Sequence, residues 1–351
     1  MNQDEMFMQR CFDLARLGLG YTSPNPTVGA VLVYDGQIIG EGFHQRYGSA
    51  HAEVNAVNSV PESLRHLISK SILYVSLEPC CVPGQTGACT NLILEHGIRE
   101  VVISCLDQSP GVAGQGVHLL RKAGVNVREG VLQTEGEYLA RIRNHFVTQK
   151  RPFVIAKYAV TPTGLFAPEP PRRFWITNPL TRRFVHRLRS TCDAILVGTQ
   201  TALIDNPGLD NRYYPGPSPL RIVIDQNLKL PNHLTVFDGQ APTLIVNSVK
   251  NDLDKARKLE WLKLDFDAPL WPALLDELYS RRISSLLVEG GAYTLKSLLN
   301  SGLWEEAWQI TGAQDFPEGI PAPHCPGRCI HTRRIGDDVL RLYQNSTKQG
   351  E

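Results

Sequence analysis

The chain predicts two α/β domains in tandem. Its 351 residues suit two domains of ordinary size. Helical and strand-like segments alternate along both halves, the pattern of an α/β layer fold. A polar junction, Gln149-Lys150-Arg151-Pro152, separates the two series, so residues 1–148 and 149–351 are read as the two domains. A hydrophobic content of 42% with 20% charged residues is ordinary for a globular protein, and a net charge of +1 gives no global attraction to nucleic acid. Eight cysteines over this length do not make a disulfide scaffold. The opening Met-Asn-Gln-Asp-Glu lacks a basic-then-apolar leader, and no apolar run approaches the roughly 20 residues of a membrane span. The expected setting is a reducing cytoplasm, where thiolates stay available for metal.

In the first half, residues 4 to 17 place Met8, Cys11, Phe12 and Ala15 near one helical face, and the Gly- and Pro-rich stretch from Gly18 to Pro26 ends that helix. Val28 to Tyr34 and Gln37 to Gly42 flank Asp35-Gly36, a strong hairpin signal. Helical pattern returns at His51 to Asn58 and near Cys89 to His96, with strands at Ile72 to Ser76 and Val101 to Cys105. In the second half, Phe153 to Val160, Asp193 to Val197, Leu220 to Ile224, Thr243 to Val246 and Leu286 to Val288 read as buried strands. Helices are expected at Pro179 to Leu188, Pro269 to Ser280 and Ala292 to Asn300. The tail after Gln314 is rich in Pro, Gly and charge and reads as irregular.

His51-Ala-Glu53, followed by Pro79-Cys80 and then Cys89, supplies three zinc ligands and a proton carrier. One imidazole and two thiolates hold Zn²⁺ and leave a fourth tetrahedral position open, as a catalytic site requires. Glu53 can take a proton from water and return it to a departing amine, which predicts hydrolytic deamination of an amino-bearing ring. The usual signature is H-x-E followed by P-C-x-x-C; here the cysteines are separated by Cys81-Val-Pro-Gly-Gln-Thr-Gly-Ala88. Ordinary core packing of His and Cys does not account for these motifs occurring together and in order. Cys81 is expected to be a neighbouring thiol without a role.

Asn25, in Ser23-Pro-Asn25-Pro, presents an amide suited to reading a pyrimidine-like ring, against the simpler reading of a Pro-flanked turn. His44 is either a contact to phosphate or ring or a satisfied surface histidine. Val288-Glu289-Gly290-Gly291 follows a strand and opens a helix, where bare amides can approach a cofactor phosphate. No complete G-x-G-x-x-G accompanies it, which argues against an ordinary dinucleotide fingerprint.

Taken together, these segments resemble the bifunctional deaminase-reductase family of riboflavin biosynthesis. In the first half the likeness rests on Pro24-Asn-Pro-Thr-Val-Gly-Ala30, Gly40-Glu-Gly-Phe-His44, His51-Ala-Glu53, Leu77-Glu-Pro-Cys80, Gly84 with Thr86 and Cys89, and Val112-Ala-Gly-Gln-Gly116. In the second it rests on Arg151-Pro-Phe-Val154, Lys157, Trp175-Ile-Thr177, Arg189, Asp193-Ala-Ile-Leu-Val-Gly198 and Val288-Glu-Gly-Gly291. The resemblance implies a cytidine-deaminase-like α/β/α domain followed by a dihydrofolate-reductase-like α/β domain, with zinc and NADPH as cofactors. It implies hydrolysis of the amino group of 2,5-diamino-6-(5-phosphoribosylamino)pyrimidin-4(3H)-one, then reduction of the ribosyl group to ribityl. Carried over by position, Ala159, Trp175, Thr201, Asp205 and the turn Gly291, Ala292, Tyr293, Thr294, Leu295, Lys296 and Ser297 would touch NADPH. Arg189, Leu209, Arg212 and Glu289 would face substrate, with Asn25 and His44 serving the deaminase. The expected partner is a small phosphoribosyl pyrimidine, with no nucleic acid or membrane; a homo-oligomer is left open.

Several positions depart from the family pattern. Its usual His and basic residue between the zinc cysteines are Val82 and Gln85 here, and losing a cation beside a phosphate forfeits a charge-assisted bond of about 1.5–3 kcal/mol. In the reductase half the usual Asp, Ser and Asp are Thr163, Arg173 and Asn206, and the later A-P-x-x-L-G segment is absent. These departures keep a deaminase with a degraded reductase as a second reading. A noncatalytic zinc-stabilised nucleotide-binding scaffold is a third, opposed by Glu53 beside an open metal position. A nucleic-acid deaminase is opposed by the near-neutral charge. Finally, His324, Cys325, Cys329 and His331 offer two imidazoles and two thiols for a second, closed zinc site, against the reading of a loose tail.

Overall fold

Asn2 and Glu5 exchange side-chain and backbone hydrogen bonds across the first turn of α1 (Gln3–Arg16). This capping box satisfies two of the donors in play at a helix start. In the computed structural model, which describes residues 2–82 and 87–346, the chain divides into two compact units, Met1–Lys150 and Arg151–Glu351. Helix α1 buries Phe7, Met8, Cys11, Phe12, Leu14 and Ala15, so the face read from the 3.6-residue period is the packed one. Strands β1 (Gly29–Tyr34) and β2 (Gln37–Phe43) form an antiparallel hairpin over Asp35 and Gly36, both at positive φ. There follow α2 (Ala52–Asn58), β3 (Ile72–Val75), α3 (Cys89–Glu95), β4 (Glu100–Ile103), α4 (Gln115–Lys122), β5 (Asn126–Arg128) and α5 (Gln133–Gln149).

The sheet runs β2-β1-β3-β4-β5, with β3, β4 and β5 parallel and β1 antiparallel to β3. Alternation along a strand sends successive side chains to opposite faces. Val31 and Val33 accordingly pack with α1, while Ala30 and Leu32 pack with Ala52, Ala56, Ile93 and Leu120 of α2, α3 and α4. The result is an α/β/α layer. Two of its glycines set how close the helices lie: a Cβ on Gly29 would strike the Cys11 backbone of α1, and one on Gly42 would strike the Asn55 and Ala56 backbone of α2.

The second unit contains β6 (Phe153–Val160), β7 (Leu165–Pro168), α6 (Pro179–Thr191), β8 (Ala194–Gly198), α7 (Thr199–Asp205), β9 (Leu220–Ile224) and β10 (Thr243–Asn247). It continues with β11 (Asp252–Asp254), β12 (Leu259–Lys263), α8 (Leu270–Ser280), β13 (Ser285–Gly290), α9 (Ala292–Ser301) and β14 (Glu306–Thr311). Last come β15 (Gly319–Pro321), β16 (Arg328–Ile335) and β17 (Asp338–Gln344). Its large sheet has the order β11-β12-β10-β9-β8-β13-β6-β14-β17-β16, parallel from β12 to β14 and antiparallel at both ends. The central strands are almost wholly apolar because the parallel part of the sheet is buried.

The tail corrects the sequence reading twice. Among the described residues after Gln314 three strands form: β15 pairs with β7, and β16 and β17 make a hairpin through Gly336-Asp337 that extends the sheet from β14. Leu340 and Leu342 are buried, and that burial orders the segment. The second zinc site does not form either. Among the described residues the one cluster of three or more His, Cys, Asp or Glu that could hold a metal is His51, Cys80 and Cys89. Cys325 packs against the core beside Tyr158, whereas Cys329 and His331 lie exposed on β16, so extended backbone separates ligands that a closed site would need together.

Candidate active sites

Three element junctions bring the metal triad together. His51 is the N-cap of α2, Cys80 lies beyond β3, and Cys89 opens α3. His51 Nδ1 stands 3.3 Å from Cys89 Sγ and 3.5 Å from Cys80 Sγ. Zinc distances of about 2.0 Å to nitrogen and 2.3 Å to sulfur in a tetrahedron put such edges at about 3.5 Å, so the donor set fits this ion. The Cys89 backbone N–H donates to Cys80 Sγ at 3.3 Å. The hydrogen bond from the Cys89 thiol above all, then those from His51 and the Cys89 backbone, outweigh burial and bring the Cys80 thiol down to about 4, while Cys89 moves up because it donates its proton to Cys80. Cys81 falls outside the triad.

Glu53 is 3% exposed, on the first turn of α2 next to both sulfurs. Burial first, and then the negative charge on Cys80, push its carboxyl up to about 7. A divalent cation held by the triad would favour the ionised carboxylate and so oppose this shift. His44 is buried rather than on the surface. Its Nδ1 donates to the Ala50 carbonyl at 3.0 Å, which leaves Nε2 to accept from Asn25 Nδ2 at 3.2 Å. Burial lowers the His44 pKa, consistent with a neutral ring. The Asn25 amide is thereby oriented, with its nitrogen committed to His44. Val82 is exposed, and Gln85 lies outside the described residues.

In the second unit the loops that follow β6, β8 and β13, together with α6 and α7, surround a cavity of about 740 Å³. Ala159, Trp175, Arg189, Thr201, Asp205, Leu209, Arg212, Glu289, Gly291 and Ala292 all line it, so most positions expected to bind ligand converge. The remainder of the Gly291 to Ser297 stretch is the first part of α9. Tyr293 is 86% exposed, Leu295 belongs to the hydrophobic core, Thr294 is buried, and Ser297 Oγ accepts from the Trp271 indole. Lys296 is likewise on this helix, away from the cavity lining. Gly291 caps α9 at φ 75°, a conformation that favours glycine.

Glu289 anchors the cavity's charges. Arg189 grips it with Nε and Nη2, each at 2.8 Å, and sends Nη1 to the Asp210 carbonyl at 2.9 Å. Lys157 Nζ approaches the same carboxylate at 3.7 Å. Burial alone would raise the Glu289 pKa; attraction to Arg189 and Lys157 outweighs it and brings the carboxyl to about 2. Lys157 shifts down, because burial costs its ammonium more than Glu289 returns. At the aromatic side, the guanidinium groups of Arg173 and Arg182 lie 5.1 and 4.8 Å from the Trp175 ring centre.

Comparison with known proteins decides what carries these two sites. Residues 1–105 match the family model described as the cytidine and deoxycytidylate deaminase zinc-binding region, and residues 152–310 match the RibD C-terminal domain. The chain is 39% identical to riboflavin biosynthesis protein RibD of Actinobacillus pleuropneumoniae, over 85% of this chain and 80% of that protein. It is 36% identical to the RibD of Aquifex aeolicus, over 98% and 93%. The chain belongs to the RibD family. The crystal structure of a diaminohydroxyphosphoribosylaminopyrimidine deaminase/5-amino-6-(5-phosphoribosylamino)uracil reductase from Thermotoga maritima superposes with a TM-score of 0.89 at 34% identity, covering 98% of this chain and 99% of that one. RibD of Acinetobacter baumannii gives 0.86 at 26% identity, covering 97% and 98%.

As a RibD-family protein the chain is a bifunctional enzyme of riboflavin biosynthesis, a zinc-binding deaminase fused to an NADPH-dependent reductase. Its departures from the family pattern are accommodated locally. Thr163 does not line the cavity; its hydroxyl pairs with Thr161 and donates to Asp315 at 2.9 Å. Asn206 caps α7 at φ 39°, and its Oδ1 accepts from the Thr235 N–H at 2.7 Å, an acceptor role an aspartate would also fill. Arg173 does enter the cavity and adds a cation there. Sequence reasoning missed His186, which lines the same cavity three residues before Arg189 on α6. The signal available was that i, i+3 spacing, which puts both side chains on one helix face.

Proposed function

We propose that the first site deaminates 2,5-diamino-6-(5-phosphoribosylamino)pyrimidin-4(3H)-one and that the second reduces the ribosyl group of the product to ribityl. The observation that carries this substrate class is the cavity's cation excess. Lys157, Arg172, Arg173, Arg182, Arg189 and Arg212 line it against Asp205, Asp210 and Glu289. Such an excess suits a phosphorylated substrate together with the phosphates of a dinucleotide. The name of the Thermotoga relative, with its phosphoribosyl substrates, supports the same reading.

In the deaminase, zinc held by His51, Cys80 and Cys89 supplies the Lewis acidity that makes water a nucleophile at neutral pH. Glu53 takes the proton that water gives up and delivers it to the leaving amino group, so water and the amine become a ring carbonyl and ammonia. Asn25, held by His44, faces the ring. In the reductase, NADPH supplies the hydride. Ala159, Trp175, Thr201, Asp205 and the Gly291 end of α9 hold the cofactor, while Arg189, Leu209, Arg212 and Glu289 face the phosphoribosyl group. No helix among the described residues is long and apolar enough to cross a membrane, and all eight cysteines are free thiols. Thiolate ligands and free thiols suit a reducing, cytoplasmic setting.

Ammonia release from the diaminopyrimidine nucleotide and NADPH oxidation with the deaminated phosphoribosylaminouracil, assayed separately, test the two assignments. Each is expected at about 1 per second or faster. NADPH that binds without being oxidised would remove the reductase assignment; ammonia release that survives loss of zinc would remove the other.

A further inference from the structure

His186 is 5% exposed and lines the reductase cavity between Arg189 and Arg212. Its Nδ1 accepts the backbone N–H of Arg212 at 3.1 Å. An imidazole nitrogen that accepts carries no proton, so the ring is the neutral tautomer protonated at Nε2. Burial, then repulsion from Arg189 and Arg212, favours the same neutral state and brings the pKa to about 4. Tyr213 packs edge-on against the ring, with centres 4.6 Å apart. No described residue partners Nε2, so a fixed N–H donor is left at the wall of a cavity built for anions.

The neighbouring cations explain why such a donor is needed. Arg189 has committed Nε and Nη2 to Glu289 and Nη1 to a backbone carbonyl. Arg212 is half-exposed and paired with Asp210 through Nη1. The two guanidinium groups therefore supply positive potential but few free, rigid hydrogen bonds. We propose that His186 is a substrate-positioning residue of the reductase, donating from Nε2 to a phosphate oxygen of the phosphoribosyl group. This rests on the substrate reading of the preceding section. A neutral donor holds the phosphate without adding a third full charge beside Arg189 and Arg212, and the backbone bond to Arg212 ties that donor to the loop carrying Leu209 and Arg212.

Two substitutions separate the donor from the scaffold. His186→Asn places an amide oxygen near the former Nδ1 and preserves the acceptor for Arg212, but loses the donor at the Nε2 position. His186→Gln reaches that position with an amide N–H. With 5-amino-6-(5-phosphoribosylamino)uracil, His186→Asn should raise KM about ten- to a hundredfold, the range for a hydrogen bond to a charged group, with kcat and the KM for NADPH little changed. His186→Gln should recover most of that loss. With the dephosphorylated ribosylaminouracil, all three proteins should have equal KM values. A KM for His186→Asn that stays at the wild-type value, an equal loss on both forms of substrate, or an equal loss in both variants would overturn the assignment. A wild-type chain that oxidises NADPH with neither form would overturn the substrate reading, and this assignment with it. Wild-type turnover accompanied by an indifferent His186→Asn overturns the assignment alone.

Discussion

At the scale of single residues, the proposed mechanism has Glu53 bind and release one proton in each turnover, and its burial beside the Cys80 sulfur raises the affinity for that proton. Glu53→Gln keeps the size and the metal ligands but removes the proton exchange. It should retain one zinc per chain by elemental analysis while deamination falls by about 10²- to 10⁴-fold. Near-normal ammonia release in a zinc-replete variant would contradict the role. The metal triad was legible in the sequence because its ligands sit in short local motifs, H-A-E and P-C. His186 was not, because its significance arises only where α6 meets the loop that carries Arg212.

Glu289 gives a second test at this scale. Its folded pKa lies below its unfolded value, so the contribution to stability is complete above about pH 4.5 and is lost as pH falls towards about 2. Glu289→Gln leaves Arg189 buried without its carboxylate and should cost the second unit about 3–5 kcal/mol at pH 7. Urea unfolding of wild type and variant should therefore differ strongly at pH 7 and converge as the pH approaches 2. A gap independent of pH would show that the ion pair is not its source.

At the scale of elements, the zinc site depends on α2 lying close to the β-hairpin. Gly42 makes that approach possible, since any Cβ there would meet the Asn55 and Ala56 backbone. Gly42→Val should displace α2, with His51 at its start, and lower zinc content and deaminase activity together. The reductase rate of the separate second unit should be unaffected. Zinc content equal to wild type would contradict the packing argument. The hairpin and α1 were readable because Asp35-Gly36 and the apolar stripe of α1 are strong local signals. Helix α5 was not: its buried positions, Gly136, Ala140, Asn144 and Phe146, mix small and polar residues and make no stripe.

The C-terminal strands failed for a related reason. β16 is exposed along most of its length and carries a polar, arginine-rich sequence, so nothing in it announces a strand. Leu340 and Leu342 of β17 do alternate, and Gly336-Asp337 is a hairpin turn, but the Pro- and Gly-rich run before them obscures both signals. Removing residues 315–351 should expose the edge of β14 and lower the unfolding temperature of the second unit. Zinc should remain at one per chain, because the triad lies wholly in the first unit. A loss of zinc on truncation would reinstate a metal role for the tail.

At the scale of the whole molecule, a net charge of +1 conceals a reductase cavity in which six cations face three carboxylates. Global charge gives no attraction to an extended polyanion and has no bearing on this local field. Only the folded arrangement, which draws Lys157, Arg189, Arg212 and Glu289 from four separate segments, makes this charged cavity visible. The central claim is that two sites on one chain act in order, deamination first. Its most direct measurement supplies zinc-loaded protein with the diaminopyrimidine nucleotide and NADPH, and follows ammonia and NADPH together. One ammonia should appear for each NADPH oxidised, with ammonia leading. Glu53→Gln should abolish both signals on this substrate yet leave NADPH oxidation intact when the deaminated uracil is supplied. NADPH oxidation from the diaminopyrimidine by Glu53→Gln, or ammonia release by the wild type with no NADPH consumed, would contradict the claim.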